Sequence, residues 1–142
     1  MVYLMARLFE MLKEDHNNVK QMLNQTINSK DSSQFARIKR ILEVHMEGEE
    51  KFLYPKLMEQ DKERVLESYE EHHVEKMILR ELDETGRDDE AWIPKVKVLK
   101  DVLDHHIKEE ENEIFPEAQK MLNSDQEQQI TGQFEELKSL RM

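Results

Sequence analysis

The six histidines of the chain fall in four places: His16, His45, the doublet His72-His73 and the doublet His105-His106. Each place lies in a different stretch of helical apolar spacing. His16 continues the stripe Leu12, Val19, Leu23, and His45 continues Ile38, Leu42, Phe52, so both are expected to face an interior. Glu49 follows His45 by four residues and shares its face. An inward carboxylate is costly unless its charge is compensated, and a metal ion beside the imidazole would compensate it.

The second half of the chain repeats this arrangement. Aligning Pro116 with Pro55 places His106 on His45, Glu110 on Glu49, Glu111 on Glu50, Leu103 on Leu42, Ile114 on Leu53 and Phe115 on Tyr54. Asp15-His16 pairs in the same way with Glu71-His72, since Leu23 and Leu79 each lie seven residues beyond the histidine. Two halves then each deliver one His from a first helix and a His-x-x-x-Glu pair from a second. His and Glu at i and i+4 stand one above the other on a helix, so both can reach ions on a bundle axis. Imidazole nitrogen with carboxylate oxygen suits iron, manganese or zinc, and two carboxylates at a pseudo-symmetric centre can bridge a pair of ions. Residues one apart diverge by about 100° on a helix, so one of each doublet serves. The repeat favours His106 over His105, and the Asp-His match favours His72 over His73. Glu50 and Glu111 read either as outer partners of the ligand imidazoles or as a solvated face.

The elements that must position these groups are helices. The chain has 142 residues, 37% of them charged, with only 3 Gly and 3 Pro and no Cys. Few breakers and abundant Glu, Lys, Leu, Gln and Met predict an all-α fold, and the lack of Cys excludes disulfides and thiolate sites. Helical spacing predicts a first helix over about 4–28 and a second from Asp31 or Ser32, kinked near Pro55 and reaching about Glu59. A third opens at Asp61 and stops at Gly86; a fourth opens at Asp88 or Asp89, with Pro94 in its first turns. Asn123-Ser124-Asp125 predicts a cap for a short amphipathic tail helix over about 125–140. Short connections favour an up-down-up-down antiparallel four-helix bundle over about 4–121, with the tail added, as one domain spanning 1–142. Leu53, Tyr54, Ile114 and Phe115 read as core at the bundle's end.

The quoted residues resemble a known family. Asp15-His16, His45-x-x-x-Glu49-Glu50 leading to Tyr54-Pro55, Glu71-His72, and His106-x-x-x-Glu110-Glu111 leading to Phe115-Pro116 are similar to the hemerythrin-like, or HHE cation-binding, domain. The resemblance covers about Leu4 to Pro116, and the Ser-Asp-Gln segment beyond resembles the family's tail helix. It implies two iron ions in a carboxylate-bridged, non-haem centre, with His16, His45, His72 and His106 as ligands and Glu49 and Glu110 as bridges. It also implies a small ligand such as dioxygen, nitric oxide or peroxide, which is bound, sensed or reduced. One departure bears on that choice. Oxygen-carrying members supply a fifth His from a His-x-x-x-His pair on the third helix, whereas here Lys76 follows His72 by four residues and Met77 follows His73 by four. Fewer imidazoles leave more open positions, which favours oxidation and turnover of the oxidase or peroxidase type over reversible oxygenation.

Charge and hydropathy narrow the partners. The formal net charge is −11, with no basic stripe, which argues against nucleic acid as a partner. The run Met1-Val2-Tyr3-Leu4-Met5-Ala6 is too short for a signal-peptide core or a membrane span, so no membrane partner and a cytoplasmic location are expected. The chain is expected to be a monomer or a weak homo-oligomer, its tail helix either capping the bundle or joining two copies. The competing readings are an iron-responsive regulatory module and a zinc-bearing or purely structural bundle.

Overall fold

A computed structural model describes residues 7–142; the amino-terminal apolar run, with the first residues of the expected first helix, lies outside them. Seven α-helical segments follow in order: α1 (Arg7–Ser29), α2 (Phe35–Gly48), α3 (Tyr54–Leu57), α4 (Lys62–Glu84), α5 (Trp92–Glu109), α6 (Phe115–Met121) and α7 (Ser124–Arg141). Two π-helical segments, Glu49–Leu53 and Glu110–Ile114, join α2 to α3 and α5 to α6. No strand occurs among the described residues. The all-α bundle expected from the helical spacing is the fold found: α1 packs on α2 and α5, and α4 packs on α5 and α2, closing a four-helix ring. No described helix is long and apolar enough to cross a membrane.

Local chemistry explains the ends. Lys30 takes a left-handed backbone (φ 54°), which stops α1. The second helix starts at Phe35, later than the expected Asp31 or Ser32, because Asp31 spends its side chain on the Ser33 N–H (2.9 Å) in a turn. Asp89 does the same with the Ala91 N–H (2.8 Å), so α5 starts at Trp92 rather than at Asp88 or Asp89. Asp61 does cap α4, accepting from the Arg64 N–H (3.4 Å). Asn123 and Gln126 form a reciprocal capping box at the start of α7.

Each π segment begins at the Glu of a His-x-x-x-Glu pair. Tyr54 N–H reaches back to the Glu49 carbonyl and Phe115 N–H to the Glu110 carbonyl, each spanning five residues. The widened turn fits the prolines at 55 and 116, whose rings would crowd the carbonyl four residues back in a regular helix. The chain thus continues past both carboxylates in one direction without breaking.

Apolar side chains form two cores. One gathers Leu23, Phe35, Ile38, Leu79, Leu82, Trp92, Val96 and Leu99; the other gathers Leu8, Phe9, Leu12, Leu53, Tyr54, Val65, Ile114, Phe115 and Phe134. The histidines lie between them. The tail helix α7 packs across α1 and α2, so it covers one face of the ring. Gly48 makes that approach possible, since a Cβ there would lie 2.2 Å from the Phe134 ring. Gly48→Ala is expected to destabilise the protein by about 1–3 kcal/mol through overpacking. Denaturant unfolding measures it, and Gly48→Ala with Phe134→Leu should recover part of the loss.

Candidate metal centre

His16 comes from α1, His45 from α2, His72 from α4 and His106 from α5, and all four are buried. Glu49 and Glu110, at the starts of the π segments, are completely buried among them. His73 and His105 are exposed, so the buried member of each doublet is the one the repeat selects.

The six side chains form two overlapping groups. One atom each from His16, His45, Glu49 and Glu110 lies within 4.8 Å of the others, and so does one each from His72, His106, Glu49 and Glu110. The two carboxylates belong to both groups. His16 Nε2 lies 3.1 Å from Glu110 Oε1, His45 Nε2 3.4 Å from Glu49 Oε1, His72 Nε2 3.1 Å from Glu49 Oε1 and His106 Nε2 3.4 Å from Glu110 Oε2.

The outer nitrogens fix the tautomers. His16 Nδ1 meets Glu111 (2.7 Å), His45 Nδ1 meets Asp15 (3.0 Å), His72 Nδ1 meets Glu50 (2.7 Å) and His106 Nδ1 meets Glu71 (2.6 Å). Each neutral imidazole therefore carries its proton on Nδ1 and turns a bare Nε2 lone pair inward. Glu50 and Glu111, open between two roles in the sequence, are outer partners. The pairing crosses between helices: Asp15 precedes His16 in the chain but supports His45, and Glu71 precedes His72 but supports His106. Beyond this layer Lys138 of α7 binds Asp15 (2.7 Å) and Lys76 binds Glu50 (2.9 Å), so the tail helix reaches the back of the His45 ring.

The donor set fits a metal. His16 Nε2 and His45 Nε2 face each other at 3.2 Å, and Glu49 Oε2 and Glu110 Oε1 lack hydrogen-bond partners. Opposed lone pairs and buried, unsatisfied carboxylate oxygens are unfavourable until a cation lies between them.

Without a metal, protons must do that work. Burial opposes charge on His45, but Glu49 and Asp15 outweigh it and hold the pKa well above the usual histidine value; His106 is held up likewise by Glu110 and Glu71. His72 is raised to about 9, with burial opposed by Glu49 and Glu50. Burial opposes ionisation of Glu110, but His106 and His16 outweigh it and hold the carboxyl well below the usual range. A histidine raised above its unfolded value of 6.5 stabilises the fold fully below pH 6.5 and loses that contribution as pH rises through about 9. Metal-free protein is therefore expected to lose stability across this window, measured as a falling urea midpoint, while metal uptake within it releases protons.

Tyr54 and Glu75 complete the surroundings, and neither was singled out in the sequence. Tyr54 was assigned to the core, where it does lie, but its hydroxyl donates to Glu110 Oε2 (2.5 Å) and sits 3.3 Å from Glu49 Oε1 and His106 Nε2 and 3.4 Å from His72 Nε2. This places a phenolic oxygen beside four candidate ligand atoms. Burial and the charges of Glu110 and Glu49 raise its pKa well above the usual value. Its counterpart Phe115 stacks on His16 (5.8 Å, 7°) and offers no oxygen. Glu75, one turn beyond His72, is 1% exposed, neither of its oxygens has a partner, and burial raises its pKa. A small cavity, about 10 Å³ for the centre of a water-sized molecule, lies against Glu75, His72, His106, His16, His45 and Val19.

Comparison with known proteins agrees with this geometry. The chain is 27% identical over 138 residues to a protein named DNA nickase from Nostoc sp. (strain PCC 7120), an alignment covering 92% of this chain and 38% of that protein. It is 28% identical over 131 residues to an uncharacterised hemerythrin-like protein of Schizosaccharomyces pombe, covering 89% of this chain and 63% of that one. The alignments thus span less than two thirds of either relative. No solved structure matches the chain. Residues 7–118, which include all six candidate ligands, match the hemerythrin HHE cation-binding domain, and the chain belongs to that family.

Proposed function

We propose that the protein holds two iron ions and binds, senses or reduces a small ligand such as dioxygen, nitric oxide or peroxide there. One observation carries this reading: two four-donor groups share Glu49 and Glu110, and four bare imidazole nitrogens converge on them. One ion would take His16 and His45, the other His72 and His106, with both carboxylates bridging. Iron supplies one-electron chemistry and open coordination positions that zinc does not combine. The chain's own residues orient that centre. Asp15, Glu50, Glu71 and Glu111 hold the rings, the two apolar cores exclude bulk water, and the Tyr54 hydroxyl donates a hydrogen bond to Glu110 Oε2.

The cavity beside the histidines has room for about one water-sized molecule, which supports a very small ligand over an organic substrate. The acidic surface supports a partner other than nucleic acid or an anionic membrane, and the proposed setting is the cytoplasm, as a monomer or weak homo-oligomer.

An optical spectrum of anaerobically iron-loaded protein, before and after air, tests this reading. New near-ultraviolet and visible charge-transfer bands are expected in air. Their loss on removing oxygen would indicate reversible binding; their persistence, with turnover when an electron donor is added, would indicate an oxidase or peroxidase. Absence of retained iron and of new bands would overturn the proposal in favour of a zinc or structural bundle.

A further inference from the structure

The two halves of the site are not equivalent. Aligning His16 with His72 places Val19 on Glu75, and aligning Pro55 with Pro116 places Tyr54 on Phe115. All six candidate ligands and all four outer carboxylates obey the repeat. Beside the centre the repeat breaks in polarity at these two positions, and both polar members lie near His72 or His106.

Glu75 has no structural work that explains it. It is 1% exposed, both oxygens lack a hydrogen-bond partner, and it lines the cavity together with all four buried histidines, one turn from His72 on its own helix. An apolar residue would fill the position at lower cost, as Val19 does on the opposite side. Nor does it join the ligand group. The donors close to one another on that side are Glu49, His72, His106 and Glu110, and Glu75 is not among them. A buried carboxyl with no donor near either oxygen keeps its own proton, because the ionised form would be stranded. It then offers an O–H to whatever occupies the cavity, whereas the other carboxylate in the lining, Asp15, has its oxygens engaged by His45 Nδ1 and Lys138, and Val19, Ile41, Leu42, Met46 and Leu103 offer nothing polar.

We propose that Glu75 is the hydrogen-bonding partner of a diatomic ligand that enters this cavity beside the ion held by His72 and His106. The inference rests on the metal reading above and deepens it: the two ions are chemically distinct, and the ligand is held on the side that carries Glu75. Val19 leaves the other side without such a partner. No covalent or electron-transfer step is required, only a hydrogen bond from the carboxyl to the bound ligand.

The test uses iron-loaded, reduced full-length protein, nitric oxide as probe, and the variants Glu75→Gln and Glu75→Leu. Iron content is measured on every sample. The expected result is equal iron in all three proteins, nitric oxide dissociation at least about tenfold faster in Glu75→Leu with a shifted N–O stretching frequency, and dissociation in Glu75→Gln within about threefold of wild type, since an amide also donates. Metal-free Glu75→Leu should melt at a higher temperature than wild type, because an unpartnered buried carboxyl is removed.

Unchanged dissociation and stretching frequency in Glu75→Leu would overturn the inference while leaving the iron centre intact. So would loss of iron from either variant, which would make Glu75 a ligand. A Glu75→Gln variant as fast as Glu75→Leu would assign the effect to charge or shape, against the proposal. Wild-type protein that retains no iron would remove the reading on which the inference stands, and the inference with it.

Discussion

Glu110→Ala is expected to lower affinity for the second ion by more than about 100-fold, beyond the 10–100-fold cost of losing an outer hydrogen-bond partner such as Asp15. The reason is geometric. Glu110 is fully buried and belongs to both donor groups, with Oε1 3.1 Å from His16 Nε2 and Oε2 3.4 Å from His106 Nε2. Removing it strips a carboxylate from both positions at once, so neither retains a complete set. The metal-free protein should also suffer. Glu110 is the main compensating charge for His106 and the acceptor for Tyr54, and truncating one member of a buried charged network costs about 3–5 kcal/mol. Because the Glu110 carboxyl is depressed in the fold, its contribution is present above its ordinary value of 4.5 and lost as pH falls through the lower folded value. The deficit of Glu110→Ala against wild type should therefore be largest near neutral pH and shrink in acid. Anaerobic ferrous titration and urea unfolding at pH 7 and pH 4 measure the two parts. Two ions retained at wild-type affinity would contradict the bridging role.

Trp92→Ala is expected to separate fold from site. Trp92 is 1% exposed, packs edge-on against Phe35 (5.5 Å, 82°), and donates from Nε1 to the Leu82 carbonyl (3.1 Å). It stands in the core away from the π segments, and replacing a buried Trp by Ala costs about 3–5 kcal/mol. The loss should appear as a lower urea midpoint in metal-free protein. At temperatures where the variant is folded, metal stoichiometry should be unchanged, since Trp92 touches none of the six donors. Bound metal should restore part of the stability by mass action, which Glu110→Ala cannot show to the same degree.

These contrasts follow from what the sequence encodes locally and what it does not. The burial and convergence of His16, His45, Glu49, His72, His106 and Glu110 are legible because an inward His or Glu must sit on an apolar stripe, and the repeat supplies three such positions twice. The resolution of His72 over His73 and His106 over His105 came from the same repeat, and burial agrees with it. The cross-pairing of the outer carboxylates was not legible. Asp15 and Glu71 each adjoin a histidine in the chain, yet adjacent residues diverge by about 100° on a helix, so each serves a ring on the neighbouring helix instead. The late starts of α2 and α5 were missed because Asp31 and Asp89 close turns rather than cap helices, and one side chain satisfies either role.

Tyr54 and Glu75 escaped for a different reason. A tyrosine at the end of an apolar run reads as core, and its ring is core; only its oxygen belongs to the centre. Glu75 lies three residues after His72 rather than four, and the apolar residues of α4 surround its axis too evenly to mark an inward face. Both stand where the internal repeat fails, Tyr54 against Phe115 and Glu75 against Val19. The six converging side chains obey the repeat, and Tyr54 and Glu75 depart from it.

The most direct test of the shared-carboxylate centre is the magnetic state of iron-loaded, air-oxidised protein, with iron content determined on the same sample. Two irons per chain are expected, antiferromagnetically coupled through the bridge, with a diamagnetic ground state and no signal from isolated ferric ions. Two magnetically independent ferric ions, or a single ion per chain, would contradict it.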